Sequence, residues 1–147
     1  MAFVLDASVT ACWAFRDEGH PDAAWAFHQM RTEEAVVPGL WWFEVRNILV
    51  VNERRRRITE SDTAAFLLNL ARLRVRVDRL PDEPAVLRLA RTHRLSVYDA
   101  AYLELAQREH LPLATLDADL RRAAASEGVA LLSGGGAATP DSQSPEK

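Results

Sequence analysis

Cysteine is almost missing from this chain: Cys12 stands alone among 147 residues. One thiol forms no intramolecular disulfide and builds no cysteine-based zinc site, which suits a reducing cytoplasm. Histidine is sparse too. His20, His28, His93 and His110 show no ligand spacing such as H-x-x-x-H, so each reads as a surface or helix residue. The N-terminus, Met1-Ala2-Phe3-Val4-Leu5-Asp6, lacks the basic and apolar regions of a signal peptide. The longest apolar-looking stretch, Val36 to Val51, is interrupted by Glu44, Arg46 and Asn47 and is not a membrane span. Charge of one sign is also lacking. The net charge of −3 gives no overall signature of a nucleic-acid binder, and it excludes none, because carboxylates at a metal site offset basic residues elsewhere.

What the chain does have is the makeup of a soluble globular protein. Hydrophobic residues make up 48% and charged residues 27%, proportions that exclude a disordered chain or a disulfide scaffold. The length fits one domain with one hydrophobic core.

Ala2 to Leu5 is a short apolar run ending at Asp6, the pattern of a buried strand in a parallel sheet. Ala7 to Phe15 reads as a helix with Val9, Trp13 and Cys12 inward, and Asp22 to Met30 as a second helix opened by Pro21. Ala35 to Pro38 is a second strand. The strongest helix spans Gly39 to Arg55, where Leu40, Phe43, Asn47 and Val50 or Val51 recur at helical spacing. Thr59 to about Leu73 follows, with a capping box from Thr59 to Asp62. Val75 to Asp78 alternates like a strand. Helices are expected over Glu83 to His93, Asp99 to Glu109 and Leu120 to Ala125, and strands over Leu113 to Leu116 and Val129 to Leu132. This alternation predicts an α/β fold with a central, mainly parallel sheet of four or five strands. Residues 1–132 form the expected domain, and 133–147 a flexible Gly-, Ser- and Pro-rich tail.

Open parallel sheets carry their sites at the carboxyl ends of strands. Asp6 and Asp117 fall there, and their strands must be near neighbours for the carboxylates to meet. Glu44 lies among Trp41, Trp42, Phe43, Val45, Ile48 and Leu49, where a carboxylate is expensive to bury unless paired or bound to metal. Asn47 follows one turn later. Asp99 opens a helix, and Asp119 follows Asp117 by two residues. Each acid also has a plainer reading. Asp99 closes a capping box with Ser96, Asp6 and Asp117 or Asp119 cap helices, and Glu44 pairs with an arginine such as Arg46. Their joint pattern favours chemistry. Carboxylates that crowd together repel, and a hard divalent cation with oxygen ligands relieves them. Such a cation acidifies water and steadies charge on a phosphate, without a His, Cys or Lys nucleophile.

The ordered set Val4-Leu5-Asp6-Ala7-Ser8, Glu44-Val45-Arg46-Asn47, Ser96-Val97-Tyr98-Asp99-Ala100-Ala101-Tyr102 and Leu116-Asp117-Ala118-Asp119-Leu120 resembles the PIN domain, most nearly its VapC-type toxins of toxin–antitoxin pairs. The resemblance covers roughly residues 2 to 132. It implies a three-layer α/β/α fold and a Mg²⁺- or Mn²⁺-dependent endoribonuclease. It further implies an acidic metal site of Asp6, Glu44, Asp99 and Asp117. Ser8 and Thr115 match positions where a hydroxyl orients the site, Asn47 a polar position beyond the glutamate, and Asp119 a more variable acid. The implied partners are a VapB-type antitoxin, an RNA substrate and a second copy of the chain.

Arg54, Arg55, Arg56 and Arg57 end the long helix. They read either as a solvated last turn that complements the helix dipole or as a phosphate-contacting patch for RNA. Trp41 and Trp42 are adjacent and cannot both face inward, so one is expected at a dimer or antitoxin surface. Competing functions are weaker. An aspartate-nucleophile phosphatase wants a second Asp where Ser8 stands, and its lysine has no counterpart but Lys147 in the tail. A metal-free ribonuclease wants a histidine pair. A catalytically inactive PIN-like module that only binds RNA or protein would be marked by loss of an acid, and all four are present.

Overall fold

The computed structural model describes residues 1–134; most of the segment read as a tail, 135–147, lies outside the described residues. Strand β1 spans Phe3–Leu5, and helix α1, Ala7–Cys12, follows Asp6 directly. A single 3₁₀ turn, Arg16–Glu18, leads to α2, Pro21–Gln29, whose N-cap is His20 and which carries proline in its first turn. Then come β2 (Ala35–Val37), α3 (Leu40–Arg54), α4 (Glu60–Leu70), β3 (Val75–Val77), α5 (Glu83–His93), α6 (Val97–Glu109), β4 (Leu113–Ala114) and α7 (Ala118–Ser126). The capping box expected at Thr59 and Asp62 is formed in both directions, with Asp62 N–H donating to Thr59 Oγ1 at 3.0 Å.

The four strands pair in parallel in the order β3-β2-β1-β4. Phe3, Val4 and Leu5 point alternately to the two faces of the sheet, yet all three are buried. Helices therefore cover both faces, as a parallel sheet requires. The chain builds outward from β1 through β2 to β3, then returns to the other side of β1 with β4. The order reverses between β1 and β4, which is where open parallel sheets leave a crevice at their carboxyl ends.

Two expectations need correction. Val129 to Leu132 is not a full strand: Leu131 makes only an isolated parallel bridge to Leu113, because β4 is too short to pair further. The inward stripe of α3 is not Leu40, Phe43, Asn47 and Val50 but Trp41, Val45, Leu49 and Asn52. Phe43 is 69% exposed, and Asn47 is exposed too. Trp41 decides the rotation of the helix, since its indole N–H donates to the buried Thr10 hydroxyl at 2.9 Å. Trp42 accordingly turns outward, under the Arg46 guanidinium at 4.0 Å and edge-on to Phe43. In α1, Val9 and Cys12 are buried as expected, while Trp13 is half-buried, its N–H donating to Ala23 O at 2.8 Å.

Candidate active site

Asp6 ends β1 and Asp117 follows β4, and these strands are hydrogen-bonded neighbours. Asp6 is buried, with Ser8 and Thr115 as its hydroxyl partners. Ser8 Oγ donates to Asp6 Oδ2 at 2.8 Å, and Thr115 Oγ1 donates to the same oxygen at 2.6 Å. Both hydroxyls are held in turn. Leu116 N–H donates to Ser8 Oγ at 3.0 Å, and Asp117 N–H donates to Thr115 Oγ1 at 3.1 Å. A β1–α1 turn and a β4–α7 turn are thereby laced into one unit around a single carboxylate.

Glu44 is half-buried on the flank of α3 that faces α6. It is not paired with Arg46; it accepts from the buried Tyr102 hydroxyl at 2.6 Å. Asp99 sits in the first turn of α6, its backbone N–H donating to Ser96 Oγ at 3.0 Å. Asp117 caps α7 by accepting from Leu120 N–H at 2.9 Å. The capping reading of Asp117 is thus correct, whereas for Asp99 only half of the expected box is present, the Ser96 hydroxyl accepting from the Asp99 N–H. Neither prevents the remaining carboxylate oxygens from facing the crevice.

The acids share one electrostatic neighbourhood. Burial pushes the Asp6 carboxyl above its ordinary range, opposed by the Thr115 and Ser8 hydroxyls. Burial also raises Glu44, the Tyr102 bond opposes it, and the charges of Asp6 and Asp99 raise it further. Asp99 is raised by burial first, then by Asp117 and Asp6 and, more weakly, by Asp119. Tyr102 is held protonated by burial and by the same acids. The charges of Asp6 and Asp99 thus act on Glu44, and those of Asp117 and Asp6 on Asp99, across four separate segments. Among the described residues no three of His, Cys, Asp and Glu stand close enough to clasp a metal ion directly. The donor chemistry nevertheless fits a hard cation such as Mg²⁺, which keeps several waters and takes only a few carboxylates directly.

Of the supporting residues expected from sequence, Ser8 and Thr115 lie in the network. Asn47 is exposed on α3, and Asp119 is exposed and paired with Arg122 at 2.9 Å. Arg57 is engaged elsewhere. It bridges Asp17 and Glu18 at 3.2 and 2.8 Å and lies over the Phe15 ring, whereas Arg54, Arg55 and Arg56 are exposed. Tyr102 is the site residue that sequence reasoning misses. It closes the Ser96–Tyr102 stretch quoted for the resemblance, and it follows Asp99 by three residues, on the same face of α6.

The PIN domain profile matches residues 3–126 of the chain. Among solved structures, PAE2754 from Pyrobaculum aerophilum is similar at 22% identity, over 84% of each chain, with a TM-score of 0.67. A toxin–antitoxin complex from Klebsiella pneumoniae is similar at 16% identity, over 78% of this chain and 86% of that one, with a TM-score of 0.55. FitAcB from Neisseria gonorrhoeae is similar at 19% identity, over 90% and 96%, with a TM-score of 0.54. No curated protein matches the chain. No helix among the described residues is long and apolar enough to cross a membrane. The structural likenesses speak for the fold, and PIN domains are in general nucleases. The profile spans most of the sequence and includes all four acids, and the chain belongs to the PIN-domain family.

Proposed function

We propose that this protein is a metal-dependent endoribonuclease toxin that hydrolyses RNA phosphodiester bonds and is neutralised by a cognate VapB-type antitoxin. Residues 1–132 act as its nuclease unit, in the cytoplasm. The observation that carries the reading is that Asp6 and Asp117 follow the paired strands β1 and β4, while the charges of Asp6 and Asp99 act on Glu44 from α3 and those of Asp117 and Asp6 act on Asp99 at the start of α6. Asp6, Asp99, Asp117 and Glu44 would hold Mg²⁺ or Mn²⁺. The chemistry this ion supplies when bound is acidification of water and relief of the charge that grows on the phosphate.

The chain's own groups prepare that site. Ser8 and Thr115 keep Asp6 turned to the cleft by bonding one of its oxygens. Tyr102, fixed as a donor, holds Glu44 in place. Hydrolysis by water leaves a 5′-phosphate and a 3′-hydroxyl, unlike a 2′-hydroxyl attack, which leaves a cyclic phosphate. Arg54, Arg55 and Arg56 offer exposed cations for the RNA backbone. The outward Trp42 and Phe43 on α3 offer an aromatic surface for a second copy of the chain or for the antitoxin. The toxin assignment draws on the fold shared with the Klebsiella and Neisseria proteins.

The deciding experiment is cleavage of total RNA by purified, antitoxin-free protein with Mg²⁺ or Mn²⁺, with EDTA, and with Asp99→Asn. Discrete cleavage lost in EDTA and in the variant is the expected result. Cleavage that survives both would overturn the acidic-site reading. A folded protein that binds RNA without cutting it would favour the inactive PIN-like module.

A further inference from the structure

The side chain of one arginine reaches the network without bonding any of the four carboxylates. Arg121 lies on α7, one turn after Asp117, and its Nη1 donates to the Thr115 carbonyl at 2.9 Å. The same nitrogen approaches Asp22 Oδ2 at 3.5 Å, and Asp22 Oδ1 accepts from Gly134 N–H at 2.8 Å. An ordinary surface ion pair would put the carboxylate nearest. Here the carbonyl is the shorter contact.

The Thr115 carbonyl belongs to the peptide unit that carries the Leu116 N–H. That peptide is therefore held at both ends: Arg121 binds its oxygen, and its N–H binds Ser8 Oγ at 3.0 Å. Ser8 Oγ in turn donates to Asp6 Oδ2 at 2.8 Å. Polarity runs in one direction along this path, from guanidinium to carbonyl, from N–H to hydroxyl, and from hydroxyl to carboxylate. Each bond polarises the next, and a cation at the head strengthens the series. If the peptide rotated, Leu116 N–H would leave Ser8, and the Thr115 hydroxyl, on the adjoining backbone, would swing from Asp6.

We propose that Arg121 is a positioning residue for Asp6, pinning the Thr115–Leu116 peptide so that the Ser8 and Thr115 hydroxyls both stay turned to one carboxylate oxygen. Asp22 steadies the guanidinium from α2. The metal part of this inference rests on the proposed nuclease reading; the peptide part does not.

Two readouts separate the parts. The first is the amide proton shift of Leu116 in metal-free protein, a direct measure of its bond to Ser8. Arg121→Met should move it upfield, and Arg121→Lys, which can still donate to the carbonyl, should restore much of the shift. The second is Mn²⁺ binding followed by the paramagnetic resonance of the free ion. Arg121→Met should weaken it roughly tenfold, as loss of an outer-shell partner does, with a cooperative unfolding transition retained. If Arg121→Met does not fold, Asp22→Asn decides, and a smaller upfield move of the same amide is expected. A Leu116 shift unchanged in whichever variant folds overturns the inference. So does Mn²⁺ affinity within about twofold of the parent in folded Arg121→Met. If the parent binds no Mn²⁺, the metal reading fails, and the amide shift alone upholds or overturns the role of Arg121.

Discussion

The Thr115 hydroxyl joins two aspartates: it donates to Asp6 Oδ2 at 2.6 Å and accepts from the Asp117 backbone N–H at 3.1 Å. Thr115 is itself buried, so neither bond is replaced by water. Thr115→Val keeps the shape and removes both bonds. The expected loss of stability is about 1–3 kcal/mol, the cost of leaving buried polar partners unmade. RNA cleavage should fall about 10–100-fold, and Thr115→Ser should recover most of it. Urea denaturation and single-turnover cleavage measure the two effects. Unimpaired cleavage by a folded Thr115→Val would remove the hydroxyl from the site.

Repulsion in the cleft makes a prediction about pH. Asp6, Glu44 and Asp99 are all raised above their ordinary values, chiefly by burial, with the charges of Asp6 and Asp99 adding to it at Glu44 and those of Asp117 and Asp6 at Asp99. Between the unfolded and folded values the native state binds more protons than the unfolded one, so stability falls as pH rises through that interval. The window opens at the ordinary carboxylate range and extends upward. In EDTA, Asp99→Asn should lessen this fall and stabilise the protein at neutral pH, on the order of 1 kcal/mol, the scale of a typical substitution. Added Mg²⁺ should stabilise the parent and not the variant. Denaturation midpoints against pH, with and without Mg²⁺, test this; a midpoint in EDTA that falls equally with rising pH for both proteins counts against a shared cleft.

Tyr102 is buried and donates to Glu44 Oε1 at 2.6 Å. Tyr102→Phe should cost about 1.5–3 kcal/mol, the range for a bond to a charged group. It should also slow cleavage about tenfold or more by freeing Glu44. Glu44→Gln should cost more activity than Tyr102→Phe, and Tyr102→Phe should add little to Glu44→Gln in the double variant. Additive losses would mean that the tyrosine serves the core alone.

The arginine run should divide by partner. Arg54 and Arg55 are exposed, whereas the charge of Arg57 is already shared with Asp17 and Glu18. Replacing Arg54 and Arg55 together should flatten the slope of log affinity against log salt by about 1.4 for single-stranded RNA, roughly 0.7 for each phosphate no longer neutralised. Arg57→Ala should flatten it less. Filter binding with Asp99→Asn as the uncut complex measures the slopes, and equal slopes for all three proteins would leave the run as a solvated helix end.

Much of this fold is legible along the chain because its signals are local. The Phe3–Leu5 strand is an apolar run closed by an acid, and Thr59–Asp62 is a capping box that forms as read. Helix α3 misleads because apolar residues surround it. Leu40, Phe43 and Val50 make one stripe, Trp41, Val45 and Leu49 another, and only the long-range bond from Trp41 to Thr10 selects between them. The site divides in the same way. Asp6, Glu44, Asp99 and Asp117 stand out by local setting, but the pairing of β1 with β4 that unites two of them is not local. The partners Tyr102 and Arg121 act across 58 residues and on a backbone carbonyl, respectively, and neither target can be read from local sequence.

The bond from Thr115 to Asp6 spans 109 positions of sequence, nearly the whole described chain. During translation the first aspartate leaves the ribosome early and the last arrives when the domain is almost complete. Local helices can form meanwhile, but β4 must dock beside β1 before the cleft exists. On the proposed nuclease reading, a nascent chain would have no complete site until β4 has docked beside β1, and a fragment ending before Asp117 would lack one of the four acids.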